Sequence, residues 1–313
     1  MEKRRIGKSD LEVYPFNLGG NVFGWTADEQ TSFSILDAFV AAGFNFIDTA
    51  NAYSAWVPGN KGGESETIIG NWFKKSGNRY KCIIATKVGA VISENNKGLR
   101  KDYILKQAEE SLRRLQTDHI DLYFTHYDDT DTPIEETLEA YDILIKEGKV
   151  RYIGASNVGS GRIIESLEKS KKTGYPGYVC LQPRYNLYDR SEYEKVYEPV
   201  AVEYGLGVVA YYSLASGFLT GKYHFDEPVK GNRSDAIEGY MNERGKRIIK
   251  ALMDIAAEYH ATPAQVALAW IIARPSVTAP IASVTKVEQL DILKAVNLNL
   301  SNEAITVLDN ASM

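Results

Sequence analysis

The chain has 313 residues, with 36 Lys+Arg against 41 Asp+Glu for a formal net charge of −5, and 44% of its residues are hydrophobic. That length and apolar content support a large packed core and exclude a disordered chain, while the acidic balance argues against a nucleic-acid partner. Two cysteines, Cys82 and Cys180, make no disulfide framework and have no metal-ligand spacing, and no apolar run approaches membrane-spanning length. A cytoplasmic protein with no metal and no membrane contact is therefore expected.

In chain order, residues 3–14 suggest a short hairpin, after which β-branched and aromatic runs alternate with helical patterns. Strands are expected at 16–19, 44–49, 82–88, 120–126, 151–156, 179–183, 207–212 and 277–283. Helices are expected near 29–42, 64–75, 101–116, 134–147, 160–172, 192–204, 244–259 and 287–296. Thr132-Pro133-Ile134-Glu135 has the pattern of an N-cap, a proline at the first helical position and a capping-box acid. Ile134, Leu138, Tyr141 and Ile145 continue it as one apolar stripe that stops at Gly148. A last helix at 301–312 takes Ser301 as its cap, and the long stretch 217–243 is a candidate lid or binding loop. Eight strand–helix alternations with no break in composition predict one α/β domain over 1–313. Its expected form is a (β/α)8 TIM barrel with an N-terminal hairpin plugging the bottom and an extra C-terminal helix.

Residues two apart on a strand share a face, and barrels of this kind carry their chemistry at the C-terminal strand ends. The series Phe44, Phe46, Asp48; Ile83, Ala85, Lys87; Leu122, Phe124, His126; and Ile153, Ala155, Asn157 each end apolar positions in one polar tip. Asp48, Lys87 and His126 are spaced by one βα unit each, which predicts an acid, an amine and an imidazole at one mouth. A Gly159-Ser160-Gly161 stretch after the fifth strand lacks the third glycine of a dinucleotide-binding turn, so a Rossmann arrangement is not expected.

The run from Gly43 through Asp48-Thr49-Ala50-Asn51-Ala52 to Tyr53 resembles the Asp…Tyr signature of the aldo-keto reductase superfamily. So do Gly63-Glu64-Ser65-Glu66, Ala85-Thr86-Lys87, Asp121 through His126, Ile153 through Asn157, and Leu219-Thr220-Gly221-Lys222-Tyr223, in order along nearly the whole chain. The branch resembled is the bacterial one that also includes potassium-channel β subunits. The resemblance implies reduction of a small-molecule aldehyde or ketone by hydride from a nicotinamide. Tyr53 would be the proton donor, with Lys87 lowering its pKa, Asp48 pairing Lys87 and His126 holding the carbonyl oxygen.

For the cofactor it implies Gly20 and Asn21 at the first loop, and Ser156, Asn157 and Gln182 on the carboxamide. Tyr211 would stack on the ring, Gly217 and Lys222 would meet the pyrophosphate, and Arg233 would lie near the adenosine phosphate. Ser283, Thr285 and Gln289, with Lys286 beside them, correspond to the phosphate-end motif, which favours NADP(H) with NAD(H) as the alternative. Ser283 replaces a frequent glycine there, and Ile292-Leu293 replaces an adenine-contacting Glu-Asn pair, so the adenine is expected to be held mainly by packing. Trp25, Trp56 and Tyr127, with Phe23, are candidate substrate-lining residues that select no particular carbonyl compound. Two other classes remain open: a cofactor-occupied regulatory subunit, and a Schiff-base aldolase with Lys87 as nucleophile. His126 favours catalysis over the first, because channel β subunits carry another polar residue there. Asp48 argues against the second, since a paired lysine stays protonated.

Overall fold

The computed structural model describes residues 2–94, 96–231 and 234–313. The expected hairpin is present as antiparallel β1 (Arg4–Arg5) and β2 (Glu12–Val13). Eight short apolar runs then pair in parallel and close on themselves: β3 (Asn17–Gly19), β4 (Phe46–Asp48), β5 (Ile83–Val88), β6 (Ile120–Thr125), β7 (Val150–Ser156), β8 (Cys180–Gln182), β9 (Gly207–Ala210) and β10 (Ala279–Ala282). Closure comes from β10 pairing β3, with Ile281 opposite Asn17. Phe46, Ala85, Leu122, Phe124, Cys180, Val209 and Ile281 fill the barrel interior. Ile6, Leu11 and Val13 of the hairpin join that interior cluster, so it plugs the barrel.

A second, larger cluster lies between the strands and the surrounding helices. These are α1 (Glu29–Ala41), α2 (Glu64–Ser76), α3 (Lys101–Leu115), α4 (Ile134–Lys146), α5 (Ser160–Thr173), α6 (Glu198–Tyr204), α7 (Ser234–Glu238), α8 (Glu243–Glu258), α9 (Pro263–Ile272) and α10 (Asn302–Ser312). Ser301 caps α10 as expected, accepting from the Ala304 amide.

Four local expectations fail. Thr132 does not cap α4: its hydroxyl donates to Asp129 at 2.6 Å, Pro133 precedes the helix, and Glu135 pairs with Lys169 instead of turning back. A true capping box forms at Thr262 and Gln265, opening α9, a helix that the sequence reading passes over. Residues Val287–Asn297 form a 3-10 helix. Apolar residues every third position, Val287, Leu290, Leu293 and Val296, suit three residues per turn better than the α period. Leu293 is buried, and Ile292 is half-buried against the core.

The fourth failure is one of phase. Ile153 and Ala155 face the helices, while Tyr152 packs on the interior cluster. A Cβ added at Gly154 would lie 2.4 Å from the Phe124 ring, so the glycine makes room for the interior phenyl group. Phe44 likewise lies outside the barrel, stacked with Phe39 at 5.4 Å.

Candidate active site

Asp48 ends β4, Lys87 is the penultimate residue of β5 and His126 follows β6, which brings all three to the C-terminal mouth. The buried Lys87 ammonium donates to Asp48 Oδ2 at 2.6 Å, to the Thr49 carbonyl at 2.7 Å and to Tyr53 Oη at 2.9 Å. Three acceptors for three N–H groups is the coordination of a charged ammonium. Asp48 Oδ2 also accepts from Tyr53 Oη at 3.1 Å, and Oδ1 accepts from Gln182 Nε2 at 2.9 Å. The Tyr53 and His126 rings meet edge to face at 6.0 Å.

Burial pushes the Tyr53 phenol well above its ordinary pKa, and the Asp48 charge adds to the rise. The net direction is upward, opposite to the lowering expected from Lys87, with burial the largest cause and Asp48 the next. The phenol holds its proton. Burial pulls Lys87 down against the opposing pull of Asp48. Burial, then the Lys87 charge, drives His126 well below the ordinary imidazole value, and its Nδ1 is buried with no hydrogen-bond partner among the described residues. The imidazole is neutral at neutral pH.

Trp56 meets Tyr53 at 6.1 Å and Trp25 at 5.7 Å, and Tyr127 packs on His126 at 4.9 Å. Trp56 and Tyr127 are each 50% exposed, so they form an aromatic rim beside the buried polar group. Phe23 does not join them, since it is fully buried in the outer core.

On the other flank, Ser156 Oγ donates to the Gln182 carbonyl at 3.0 Å. Asn157 Nδ2 donates to the His126 carbonyl at 2.9 Å, and its Oδ1 accepts from Tyr211 Oη at 2.8 Å. Asn157 reaches the mouth through a left-handed backbone, φ 49°, and not through strand alternation. Tyr212, Ala215, Ser216 and Gly217 are left-handed too, which marks a strained loop held by its surroundings. A Cβ at Gly217 would meet nothing nearer than 3.9 Å, with Lys222 Nζ at 4.0 Å, so open backbone lies beside the Lys222 ammonium.

Asn21 Oδ1 accepts from Ser283 Oγ, tying the ends of β3 and β10. Gly20 is a packing residue, since a Cβ there would lie 2.9 Å from Ser65 Oγ and 3.0 Å from the Asp48 carbonyl. Gln289 Oε1 accepts from the Thr285 amide at 2.7 Å, and the exposed Lys286 makes no ion pair among the described residues. Arg233 lies outside the described residues. Two residues of the quoted motifs, Thr49 and Glu66, contribute in ways that the motifs alone do not reveal. The Thr49 carbonyl takes one Lys87 proton, and the fully buried Glu66 accepts from Thr86 at 2.5 Å and from Arg114 at 2.6 Å. A carboxylate among the buried apolar residues of α2 was the available signal for Glu66.

The model of the aldo/keto reductase family matches residues 15–312. The chain belongs to that family. Over 99% of its length it is 38% identical to an uncharacterized oxidoreductase, YrpG, of Bacillus subtilis, covering 95% of that protein. It is 33% identical to Protein tas of Escherichia coli, over 99% of this chain and 97% of the relative. A probable voltage-gated potassium channel subunit beta of Arabidopsis thaliana is 32% identical over 95% of this chain and 92% of that protein. Family membership makes the chain an oxidoreductase by type and matches the branch inferred from its motifs.

Proposed function

We propose that this protein is an NADP(H)-dependent carbonyl reductase that converts aldehydes or ketones to alcohols with Tyr53 as proton donor. The observation carrying this reading is the buried Lys87–Asp48–Tyr53 cluster beside a neutral His126. Carbonyl reduction needs a hydride on carbon and a proton on oxygen. A bound nicotinamide supplies the hydride. Tyr53 Oη gives its proton to the carbonyl oxygen, and Lys87 already donates to that Oη, so the phenolate left behind meets an ammonium. His126, uncharged, hydrogen-bonds the carbonyl oxygen and holds it toward Tyr53.

The donor set fits the cofactor. Ser156, Asn157 and Gln182 lie together beside the Lys87–Asp48–Tyr53 cluster, which supports a carboxamide held there, and Tyr211, its hydroxyl held by Asn157, would stack on the ring. Lys222 beside the open Gly217 backbone suits a pyrophosphate, and Lys286, without an ion pair among the described residues, suits a 2′-phosphate together with Thr285 and Gln289. Arg233, outside the described residues, would add a second charge there. Asn21 and Ser283, hydrogen-bonded to each other, and Gly20 beside them would complete the cofactor side. Trp25, Trp56 and Tyr127 would line the substrate side.

With a reactive test aldehyde present, the protein should consume NADPH, read as falling near-ultraviolet absorbance. Borohydride trapping of substrate carbon on Lys87 without nicotinamide would instead establish an aldolase, an outcome opposed by the three hydrogen bonds that occupy its ammonium. The likeness to a potassium channel subunit favours a second reading, a cofactor-holding regulatory subunit. That reading predicts bound cofactor with no turnover on any carbonyl compound.

A further inference from the structure

Asp48 faces three donors in a buried site, and only two of them belong to the reaction as described. The third is Gln182 Nε2, 2.9 Å from Oδ1 on the oxygen opposite Lys87 and Tyr53. Gln182 is itself buried, ends β8, and has its backbone carbonyl held by Ser156 Oγ at 3.0 Å. A carboxylate has two equivalent oxygens and can rotate about its Cβ–Cγ bond. Fixing Oδ1 from the β8 side leaves Oδ2 aimed at both Lys87 Nζ and Tyr53 Oη.

We infer that Gln182 is a positioning residue of the proton-transfer group, orienting Asp48 from across the barrel, a role that rests on the proposed reductase reading. An ionised carboxylate offers only acceptors, so the Gln182 amide must turn its nitrogen toward Asp48. Oε1 is then left to accept from a ligand at the mouth. That acceptor matches the –NH2 of a nicotinamide carboxamide. One side chain thereby joins the cofactor's reacting end to the carboxylate beneath the proton donor. A cofactor whose carboxamide is replaced by a group without N–H, such as the 3-acetylpyridine analogue, loses this partner.

The test compares wild type with Gln182→Met, which keeps the volume but removes the donor, and with Gln182→Glu, which keeps the shape. Turnover and KM are measured against pH, cofactor affinity is measured by quenching of intrinsic fluorescence, and thermal unfolding verifies folding. Gln182→Met should lower kcat at saturating cofactor by roughly 10-fold or more, a value typical of disturbing groups that orient an acid–base residue, with aldehyde KM nearly unchanged. Gln182→Glu sets a second carboxylate against Asp48. As pH falls the pair takes up a proton, the introduced carboxyl becomes a donor in place of the amide, and the variant's activity relative to wild type should rise. The fluorescence titration should show wild type binding the acetylpyridine analogue more weakly than the natural cofactor, with that difference lost in Gln182→Met.

Three results would overturn the inference: a Gln182→Met enzyme with wild-type kcat and pH profile, a Gln182→Glu/wild-type ratio flat in pH, or losses confined to cofactor affinity. If wild type reduces no aldehyde, or Tyr53→Phe is as active as wild type, the reductase reading itself fails. Normal Gln182 variants beside an inactive Tyr53→Phe remove only this inference.

Discussion

At the scale of single residues, charge and burial decide what each side chain can do. His126 is the clearest case, because its folded-state pKa lies well below the unfolded value near ~6.5. Between those two values the unfolded chain binds a proton that the folded site refuses. Its contribution to stability is therefore complete above about pH 6.5 and falls as pH drops toward the folded value. Denaturant titrations of wild type should show this loss below about pH 6.5, and His126→Gln should flatten it. An identical acid slope in the variant would contradict the buried neutral imidazole. Lys87→Met should leave Asp48 and Tyr53 without their shared cation and reduce turnover by ~100-fold or more, as for other disabled acid–base groups. An unaltered pH–rate profile would count against the pair. Asp48, Lys87 and His126 were legible in the sequence because each is the single polar tip of an apolar strand. The direction of the Tyr53 shift was not, since it depends on the depth of burial and on the Asp48 contact, both products of the folded barrel.

Elements were legible where one physical signal dominated and misleading where two competed. The Thr132-Pro133 pattern has every local mark of a cap, yet Asp129 three residues earlier accepts the Thr132 hydroxyl proton and holds that hydroxyl away from the helix amides. At Thr262 no such competitor intervenes among the described residues, and the box closes through the Gln265 amide and side chain. Thr262→Ala should cost about 1 kcal/mol of unfolding free energy, the usual worth of a lost cap, measured in urea. No change would mean that packing alone holds α9. Period-two alternation failed at β7 because Gly154 carries no side chain to reveal its face. Gly154→Ala should destabilise by about 1–3 kcal/mol through overpacking against Phe124. A neutral effect on the urea midpoint would show that the barrel interior can yield at that ring.

Across the whole molecule, eight alternations told a closed barrel from an open sheet, and motifs in the family's order pointed to the chemistry expected at its mouth. The proposed phosphate end was less legible because the residues assigned to it, Thr285, Lys286 and Gln289, lie at the exposed start of a 3-10 segment, where charge has no apolar frame to fix it. If Lys286 meets a 2′-phosphate, Lys286→Ala should weaken NADPH by roughly 10- to 150-fold, the cost of one charge-assisted hydrogen bond, and leave NADH nearly unchanged. Equal NADPH and NADH affinities, unchanged by the substitution, would mean that the cofactor is held without phosphate recognition. All of this depends on one proton. The most direct measurement is the single-turnover rate of aldehyde reduction by NADPH-loaded wild type and Tyr53→Phe, with cofactor affinity measured in parallel. The account predicts near-equal NADPH binding and a rate at least ~100-fold lower in the variant, the scale of a lost general acid. Reduction by Tyr53→Phe at the wild-type rate would contradict it.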